Sequence, residues 1–420
     1  MRSLEELLVS RRRMVAGLGS AAILGAAGQL ARGQQAASPP MGPHQNPAGK
    51  TLVDPGPENP PLIQENPDSW EPSPSDAGDV NTFKYSFAVA HNRTNSAGWA
   101  RQVTVRDLPI AKDIAGVNMR LYAGSIRELH WHIPAEWAFM LYGTARVTGV
   151  DTAGRSFVDD IGPGDLWYFA GGNPHSIQGL GPDGCEFLLA FDDGAFSEFD
   201  TFLITDWFNH TPKEVLSKNF DTPESTFDGD PKKELYIFSA PVPGPLEADK
   251  KAAMGPQGET PNPLTYHLKA QKPNQSVKGG EVRIADTTNF KASLTVAAAL
   301  VTLRPGGIRV LHWHPNADEW QYYSAGKGRM TIFVGSGKAR TQDFQSGDVG
   351  YVQKSIPHYI ENTGDTDLEF LELFKAPIYE DITASEWISH LPPELVEDHM
   401  HFPKGFLATL PKEKYEVRPI

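Results

Sequence analysis

The sequence predicts an all-β protein built from two tandem β-barrels or sandwiches, each followed by a short helical segment. Short alternating segments, divided by Gly, Asp and Pro turns, recur at near-regular spacing from Phe83 onwards, as antiparallel barrels and sandwiches require. The pattern Arg-x-x-His-Trp-His occurs twice, beginning at Arg127 and at Arg309. Its surroundings match between the halves at offsets of 182 or 183 over about 50 residues, which indicates an internal duplication.

Composition narrows the class of protein. A chain of 420 residues predicts one to three domains, and its 40% apolar content is enough for substantial cores. The formal net charge of −14 argues against nucleic acid and against anionic membrane surfaces as partners. The single cysteine, Cys185, excludes an internal disulfide and a thiolate metal cluster.

The N-terminal region predicts export. Residues 1–37 contain the basic run Arg11–Arg13 and then the small, apolar stretch Ala16–Ala27, which resembles a twin-arginine signal and predicts a periplasmic or secreted protein. The alternative is a disordered basic tail. Residues 38–79 form a proline-rich arm, with 11 prolines between positions 38 and 74, and we expect an extended segment without helices, anchored by Trp70.

The rest of the chain divides by its patterns. We predict a first barrel over residues 80–221, a connection over 222–280 and a second barrel with C-terminal helices over 281–420. The pattern turns helical between Thr201 and Phe220 and repeats near the C-terminus at an offset of 180. Within and after the connection, Glu234–Phe238 predicts an edge strand, and Leu264–Leu268 and Val282–Ala285 predict the start of the second sheet.

Each half supplies three histidines and one glutamate in the same order. Residues two apart on a strand share a face, so the two histidines of each His-Trp-His run point together, and a turn returns the glutamate towards them. The candidate metal ligands are His130, His132, Glu136 and His175 in the first half, and His312, His314, Glu319 and His358 in the second. Three imidazoles with one carboxylate suit Mn, Fe, Ni, Cu or Zn better than Ca or Mg. The competing interpretation is that these are hydrogen-bonded histidines of the core. The repetition of the whole set in the same order argues against it.

These motifs, with the Gly-Asp turns before Leu166 and Val349 and the Pro-His pairs ending at His175 and His358, resemble a duplicated cupin (jelly-roll) fold. The resemblance is closest to bicupin oxalate decarboxylases and covers roughly residues 80 to 410. It implies two Mn ions per chain, conversion of oxalate to formate and carbon dioxide with dioxygen as a catalytic partner, and a homohexamer of two stacked trimers. Zn does not fit such chemistry because it has no redox states to alternate between.

Two arginines and two glutamates complete the predicted pockets. Arg127 lies three residues before His130, so a regular strand would turn the two side chains to opposite faces, and a bend is needed for Arg127 to line the pocket. A guanidinium there would hold the substrate carboxylate remote from the metal. The alternative is that Arg127 is a surface residue of the strand. The repetition of this arginine as Arg309 argues against that alternative.

The resemblance assigns the catalytic proton to Glu198, on a lid segment after the last strand of the first barrel, here called the lid (Ser197–Thr201). The family commonly continues Ser-Glu with Asn-Ser-Thr, whereas this chain has Phe199 and Asp200 before Thr201. In the second half the pocket acid is Glu372, on a strand without a following lid. We therefore expect the first site to be the main catalytic centre, and the second to be structural, electron-relaying or weakly active.

Three classes of function stay open at this point: an oxalate decarboxylase, a bicupin oxalate oxidase that releases hydrogen peroxide, and a non-catalytic storage or binding bicupin. The two complete ligand sets disfavour the last. Trp131 and Trp313 are expected to point away from the metals. They either pack between barrels or carry an electron between metal sites of neighbouring subunits, and the sequence does not decide between these roles.

Overall fold

The structure, a computed structural model, describes residues 42–45, 51–54 and 59–418. Gly42–Gln45 and Thr51–Asp54 pair as an antiparallel hairpin, which belongs to a unit of its own. The predicted export signal, residues 1–37, lies outside the described residues.

The first barrel is formed by two antiparallel sheets. The six-stranded sheet has the spatial order Ser156–Ile161, Ala145–Val150, His175–Gly179, Ile126–Trp131 and Phe202–Leu203, with Ile237–Phe238 also paired to Ile126–Trp131. The seven-stranded sheet has the order Thr265–Tyr266, Leu166–Phe169, Glu136–Gly143, Cys185–Phe191, Ala115–Leu121, Gly98–Val103 and Asn92–Asn95. Side chains from both sheets, such as Val147 and Phe187, share one buried core, which is the packing of a sandwich or jelly roll.

The second barrel repeats this arrangement. Its six-stranded sheet has the order Ala339–Gln345, Lys327–Phe333, His358–Asn362, Ile308–Trp313 and Ile382–Thr383, with Val417–Arg418 also paired to Ile308–Trp313. Its seven-stranded sheet has the order Gln275–Val277, Gly280–Ala285, Ala297–Leu303, Leu368–Phe374, Glu319–Ala325, Asp348–Val352 and Lys84–Ser86. The predicted fold class, an all-β chain with two tandem barrels, is confirmed.

The two halves exchange edge strands. Thr265–Tyr266 pairs with Leu166–Phe169 of the first barrel, and Lys84–Ser86 pairs with Asp348–Val352 of the second. The prediction that Leu264–Leu268 begins the second sheet is therefore wrong, and Lys84–Ser86, inside the range predicted for the first barrel, belongs to the second. Alternation identifies a strand but not its partner, and each exchanged strand covers an edge that would otherwise be exposed.

A third apolar layer joins the two barrels. It forms where the outer faces of the two seven-stranded sheets meet, and it includes Trp137, Phe139, Leu188, Trp320, Tyr322 and Leu371. Gly116 permits this approach, because a Cβ atom at this position would lie 2.4 Å from the ring of Trp320. Strands buried on both faces explain the continuous apolar runs in these sheets, such as Leu166–Phe169.

Helices follow each barrel as predicted. They are Ile204–Asn209 and Lys213–Phe220 after the first barrel, and Ala384–Ser389 and Pro393–Met400 after the second. A further helix, Leu246–Ala253, lies in the connection, and single 3₁₀ turns occur at Phe87–Val89, Glu198–Asp200, Glu224–Phe227 and Leu407–Thr409. Among the described residues, no helix has the length and apolarity needed to cross a bilayer.

The proline-rich arm contains helices, so the prediction that it has none is wrong. Pro60–Glu65 and Pro67–Trp70 are helical, with proline in the first turn of each, where a missing N–H costs nothing. Asp68 holds the segment to the second barrel. The Asp68 backbone N–H donates to Asp343 Oδ2 at 3.1 Å, and the Asp343 N–H donates to Asp68 Oδ1 at 3.0 Å.

Candidate metal centres

A bulge in each histidine-bearing strand turns the arginine into the barrel. In the first barrel His130 lies opposite His175, whereas Arg127 lies opposite Ile177, so three steps along one strand match two along the other. The second barrel has the same irregularity between Arg309 and His312. One extra residue in a strand turns the side chains that precede it to the opposite face of the sheet. This supplies the bend that the sequence required, and both arginines are fully buried.

The structure brings the four candidate ligands of each half together. In the first barrel, Glu136 Oε2 lies 3.1 Å from His132 Nε2 and 3.5 Å from His175 Nε2. In the second, Glu319 Oε2 lies 3.2 Å from His314 Nε2 and 2.8 Å from His358 Nε2. The ligand atoms of each set, including His130 and His312, lie within 4.8 Å of one another, and all eight residues are buried.

Backbone carbonyls orient all six imidazoles. Each ring presents Nδ1 to a main-chain oxygen at 2.5–3.0 Å, and the acceptors belong to Glu128, Pro134, Asn173, Val310, Glu380 and Ile356. A carbonyl oxygen can only accept, so the proton sits on Nδ1 and Nε2 keeps a free lone pair. This is the usual arrangement of metal-binding histidines.

Several of the inward-facing atoms lack hydrogen-bond partners within the described part of the chain. They are Nε2 of His175, His312, His314 and His358, and Oε2 of Glu319. Buried polar atoms are normally paired, since an unpaired one costs about 1–3 kcal/mol. Convergent lone pairs on three nitrogens and one carboxylate fit a divalent transition metal in each barrel.

The outer oxygen of each metal-ligand glutamate accepts a hydrogen bond from a side chain, and the donor lies on a different strand in the two barrels. In the first barrel Trp167 Nε1 donates to Glu136 Oε1 at 2.8 Å, and Trp167 is paired with Ala138. In the second barrel the donor comes from the other strand, because Gln321 Nε2 donates to Glu319 Oε1 at 2.6 Å. Gln321 is paired with a glycine, Gly350, whose added Cβ would lie 2.6 Å from the Gln321 Oε1 atom. The two barrels thus orient the same ligand by different residues.

Electrostatics favour the metal-binding protonation states of His130, His312 and both glutamates. Burial, with help from the neighbouring arginine and histidines, lowers the pKa of His130 and of His312 well below the ordinary value. Burial would raise the pKa of Glu136 and of Glu319, but the adjacent histidines outweigh it and lower both. Neutral imidazoles and ionised carboxylates are the forms that bind metals.

The first pocket places Arg127 against Glu198. Arg127 Nη2 donates to Glu198 Oε2 at 3.2 Å, and Nη1 donates to the carbonyl of Tyr236 at 3.3 Å. The guanidinium also lies over the Tyr236 ring, 4.5 Å from its centroid. Glu198 begins a single 3₁₀ turn, and its backbone N–H donates to Gln102 Oε1 at 3.2 Å. The predicted lid acid and the predicted substrate arginine are therefore in direct contact.

In the second pocket, charged side chains of the protein surround the arginine. Arg309 donates to Glu372 at 3.0 Å, to Asp381 at 2.8 Å and to the Tyr379 hydroxyl at 2.7 Å, and the two charge partners are buried with it. Lys414 forms a further ion pair with Asp381. Burial would raise the pKa of Asp381, but Arg309 and Lys414 lower it to about 2. Arg309 thus lacks the single, displaceable partner that Arg127 has.

The two predicted acids differ in their freedom to move. Glu372 lies within Leu368–Phe374, which is hydrogen-bonded on both sides within its sheet. Glu198 lies outside the sheets, on the lid. Burial raises the pKa of Glu372, although Arg309 opposes the effect. A residue that exchanges protons with a substrate must approach it and withdraw, which the position of Glu198 allows.

Sequence reasoning missed Tyr236, Tyr379 and Asp381. The offset of 180 that matched the helices also relates Ile237–Phe238 to Val417–Arg418, and each of these strands pairs with a histidine-bearing strand. Extending the repeat to these strands would have found Tyr236 beside the first pocket. At the offset of 183 that relates the two ligand glutamates, Tyr379 and Asp381 correspond to Phe196 and Glu198.

The two tryptophans face away from the metal clusters, as expected. Trp131 stacks on Phe202 with 5.5 Å between centroids and meets the edge of Trp207 at 5.5 Å. Trp313 meets the edge of Trp387 at 5.8 Å. Both therefore pack against the segments that follow their barrels.

Fold and site together define a two-barrel protein with a three-histidine, one-glutamate centre in each barrel. A family model described as Cupin matches residues 86–226 and 266–402, which is more than half of the chain. The chain therefore belongs to the cupin family.

The relatives make the comparison more specific. Oxalate decarboxylase OxdC of Bacillus subtilis (strain 168) is 54% identical over 354 residues, which cover 84% of this chain and 91% of that protein. A probable oxalate decarboxylase of Arthroderma benhamiae is 39% identical over 376 residues, covering 88% and 91%. A solved structure of Bacillus subtilis oxalate decarboxylase, studied for its Mn(II) centres, matches with a TM-score of 0.85 at 52% identity, covering 89% and 97%. The predicted resemblance to bicupin oxalate decarboxylases is confirmed.

Proposed function

We propose that this protein converts oxalate to formate and carbon dioxide at the metal centre of its first barrel. The observation that carries the proposal is the contact between Arg127 and Glu198, both buried and both facing the side of the barrel that holds the histidine cluster. A cation that binds a carboxylate and an acid that moves a proton are the two groups that this reaction needs beside the metal. The similarity to oxalate decarboxylases supports the same substrate.

Manganese is the proposed metal in both barrels, with dioxygen as a catalytic partner in the reaction. The donor set of three imidazole nitrogens and one carboxylate oxygen fits it, and the Bacillus subtilis relative has Mn(II) centres. When bound, a redox-active metal with dioxygen would supply the one-electron withdrawal that weakens the carbon–carbon bond of oxalate.

Arg127 binds and polarises the substrate. Its guanidinium is fixed by the Tyr236 carbonyl and ring, while its Nη2 atom donates to Glu198. A carboxylate of oxalate can replace that partner and accept the charge-assisted hydrogen bond. Held in this way, the charge of the substrate's remote carboxylate is neutralised by a buried guanidinium.

Glu198 manages the proton. When oxalate displaces it from Arg127, its carboxylate is free to take the proton of mono-protonated oxalate and later return it to the carbon that has lost carbon dioxide. If that carbon receives a proton, the product is formate. Without the proton, oxidation to carbon dioxide and release of hydrogen peroxide compete. The same residue therefore separates decarboxylase from oxidase chemistry.

The second barrel is proposed to be mainly structural. Arg309 is satisfied by two buried carboxylates and a tyrosine hydroxyl, so a substrate carboxylate would have to displace a complete network. Removing one member of a buried charge network costs about 3–5 kcal/mol, which opposes substrate binding there. The metal cluster itself is intact in geometry and joins the ends of three strands, Ile308–Trp313, Glu319–Ala325 and His358–Asn362.

The test is a product assay. Oxalate is added to the Mn-loaded protein, and formate, carbon dioxide and peroxide are measured under air and under nitrogen. Formate and carbon dioxide in equal amounts, formed only with oxygen present and without its net consumption, support the proposal. If the main products are peroxide and two molecules of carbon dioxide per oxalate, the protein is an oxidase. Phe199 and Asp200, which replace the Asn-Ser common in the family, are then the first candidate cause. Binding without turnover makes it a binding protein.

Export and assembly are part of the proposal. The Arg11–Arg13 run before Ala16–Ala27 supports export to the periplasm or the medium. Assembly into a homohexamer of two trimers is supported by large apolar side chains exposed on the helices after each barrel, namely Trp207, Val215, Phe220, Trp387, Leu395 and Met400. Gel filtration with light scattering tests the assembly, and a monomer would contradict it.

A further inference from the structure

Phe199 on the lid has a specific partner outside it. The ring is 68% exposed, and the guanidinium of Arg93 lies 5.1 Å from its centroid. The same guanidinium lies 3.5 Å from the centroid of Tyr236. We propose that Arg93 is a positioning residue for the reaction, because it holds the lid closed through Phe199.

Arg93 is itself held in place. It lies on the strand Asn92–Asn95, where it pairs with Ala100 of Gly98–Val103, and its Nη2 donates to Glu234 Oε1 at 2.6 Å. Tyr236, two residues after Glu234, presents its ring to Arg93 and also to Arg127. Aromatic rings and cations therefore alternate from the lid surface to the substrate arginine. Each guanidinium is attracted electrostatically to the face of the aromatic ring beside it.

The lid has room to leave this position. A cavity of about 110 Å³ borders Glu198 and Phe199, and Arg101 and Arg106 line its other side. The lid is thus not packed against protein over its whole surface. Its contacts to the barrel include the Glu198 carboxylate on Arg127, the Glu198 N–H on Gln102 and the Phe199 ring on Arg93. Substrate binding removes the first of these, whereas the contacts with Gln102 and Arg93 remain and favour the closed lid.

The consequence concerns product choice, and it rests on the proposed function. Once oxalate occupies Arg127, Glu198 delivers its proton only while the lid is closed. A contact that favours closure raises the share of formate over peroxide. Asparagine is the residue common at this position in the resembled family, and it has no aromatic ring. The contact between Phe199 and Arg93 therefore depends on the phenylalanine that this chain carries.

Hydrogen–deuterium exchange of the Mn-loaded protein tests the proposal without turnover. Backbone amides of the peptide covering 197–203 should exchange about two- to fivefold faster in Arg93→Ala and in Phe199→Leu, the shift expected for losing one exposed cation–π contact. The double variant should be no faster than either single one, because both remove the same contact. Phe199→Tyr, which keeps the ring, should exchange as the wild type does. Arg106→Ala is the matched control, since Arg106 lines the same cavity but, within the described part of the chain, lies over no aromatic ring.

The second measurement is the ratio of formate to peroxide. It should fall by the same two- to fivefold in the two single variants. KM for oxalate should be unchanged in Phe199→Leu, because this variant leaves the contacts of Tyr236 with Arg93 and Arg127 in place. Unchanged exchange in both single variants, or additive effects in the double variant, overturns the proposal. If oxalate is not turned over, the proposed function fails while the exchange result still decides the role of Arg93. Phe199→Leu carries the test alone if Arg93→Ala does not fold, since Phe199 is mostly exposed.

Discussion

Replacing Glu198 by glutamine separates the two roles assigned to this residue. Glu198 accepts a hydrogen bond from Arg127 and donates its backbone N–H to Gln102. Glutamine has nearly the same volume, and its amide oxygen can accept from Arg127, so the lid keeps its anchor. An amide cannot carry the catalytic proton. Glu198→Gln therefore removes proton transfer while leaving most of the geometry, whereas Glu198→Ala removes both.

The expected effect on the reaction is large and the effect on stability is small. Loss of a general acid–base group lowers formate production by about 10²- to 10⁴-fold, which is about 3–5 kcal/mol in activation free energy. Breaking a buried ion pair costs about 3–5 kcal/mol when the remaining charge has no partner. Here Arg127 keeps the Tyr236 carbonyl at 3.3 Å and the Tyr236 ring at 4.5 Å. We therefore expect a loss of about 1–2 kcal/mol in the free energy of unfolding.

The assay measures initial rates of formate and peroxide formation, with urea unfolding to report stability. Peroxide release should persist or rise in Glu198→Gln. Glu372→Gln is the control in the second pocket, and formate production should stay close to that of the wild type. Full formate output from both Glu198 variants, together with its loss in Asp200→Ala, would show that the acid is Asp200. Equal losses in Glu198→Gln and Glu372→Gln would refute the assignment of catalysis to the first barrel.

Three further predictions follow from the metal clusters, a buried acid and the N-terminus. Metal analysis should find two divalent ions per chain, with His130→Ala and His312→Ala each removing one; a wild type with one ion would contradict this. Burial would raise the pKa of Asp381, but neighbouring cations lower it from 3.8 to about 2, so its ionised form stabilises the fold above about pH 4 by about 2 kcal/mol, a contribution lost as the pH falls towards 2. In urea unfolding, Asp381→Asn should cost stability at pH 6 and progressively less below pH 4, and a constant difference would exclude the mechanism. Lysine in place of Arg11 and Arg12 should trap the protein in the cytoplasm, and unchanged fractionation would remove the export proposal.

Much of the metal site could be predicted without a structure. Ligand identity is local information, because the spacing of His130 and His132 places both on one face and the turn returns Glu136 to them. The duplication supplied an internal check, since the second half repeats the order. The number of barrels, the helices after each of them and the eight candidate ligands followed from these patterns.

Strand partners and side-chain facing across an irregularity depended on tertiary structure. The exchanged strands Lys84–Ser86 and Thr265–Tyr266 look like ordinary strands in the sequence, and only their pairing shows that each completes the other barrel. The bulge that brings Arg127 to the side of His130 is set by the register against the neighbouring strand. Period-two alternation alone would have placed them on opposite faces.

The sequence by itself determined the fold class, the duplication and the residues that can bind metal, because these depend on composition and on short-range spacing. The tertiary structure decided which pocket can accept a substrate. Arg127 and Arg309 occupy equivalent positions, yet one faces a lid acid and the other is locked by Glu372 and Asp381. That difference arises from residues distant in sequence, such as Tyr236, whose contacts exist only when the sheets have assembled. Long-range packing, which periodicity does not encode, therefore gives the two similar halves different chemistry.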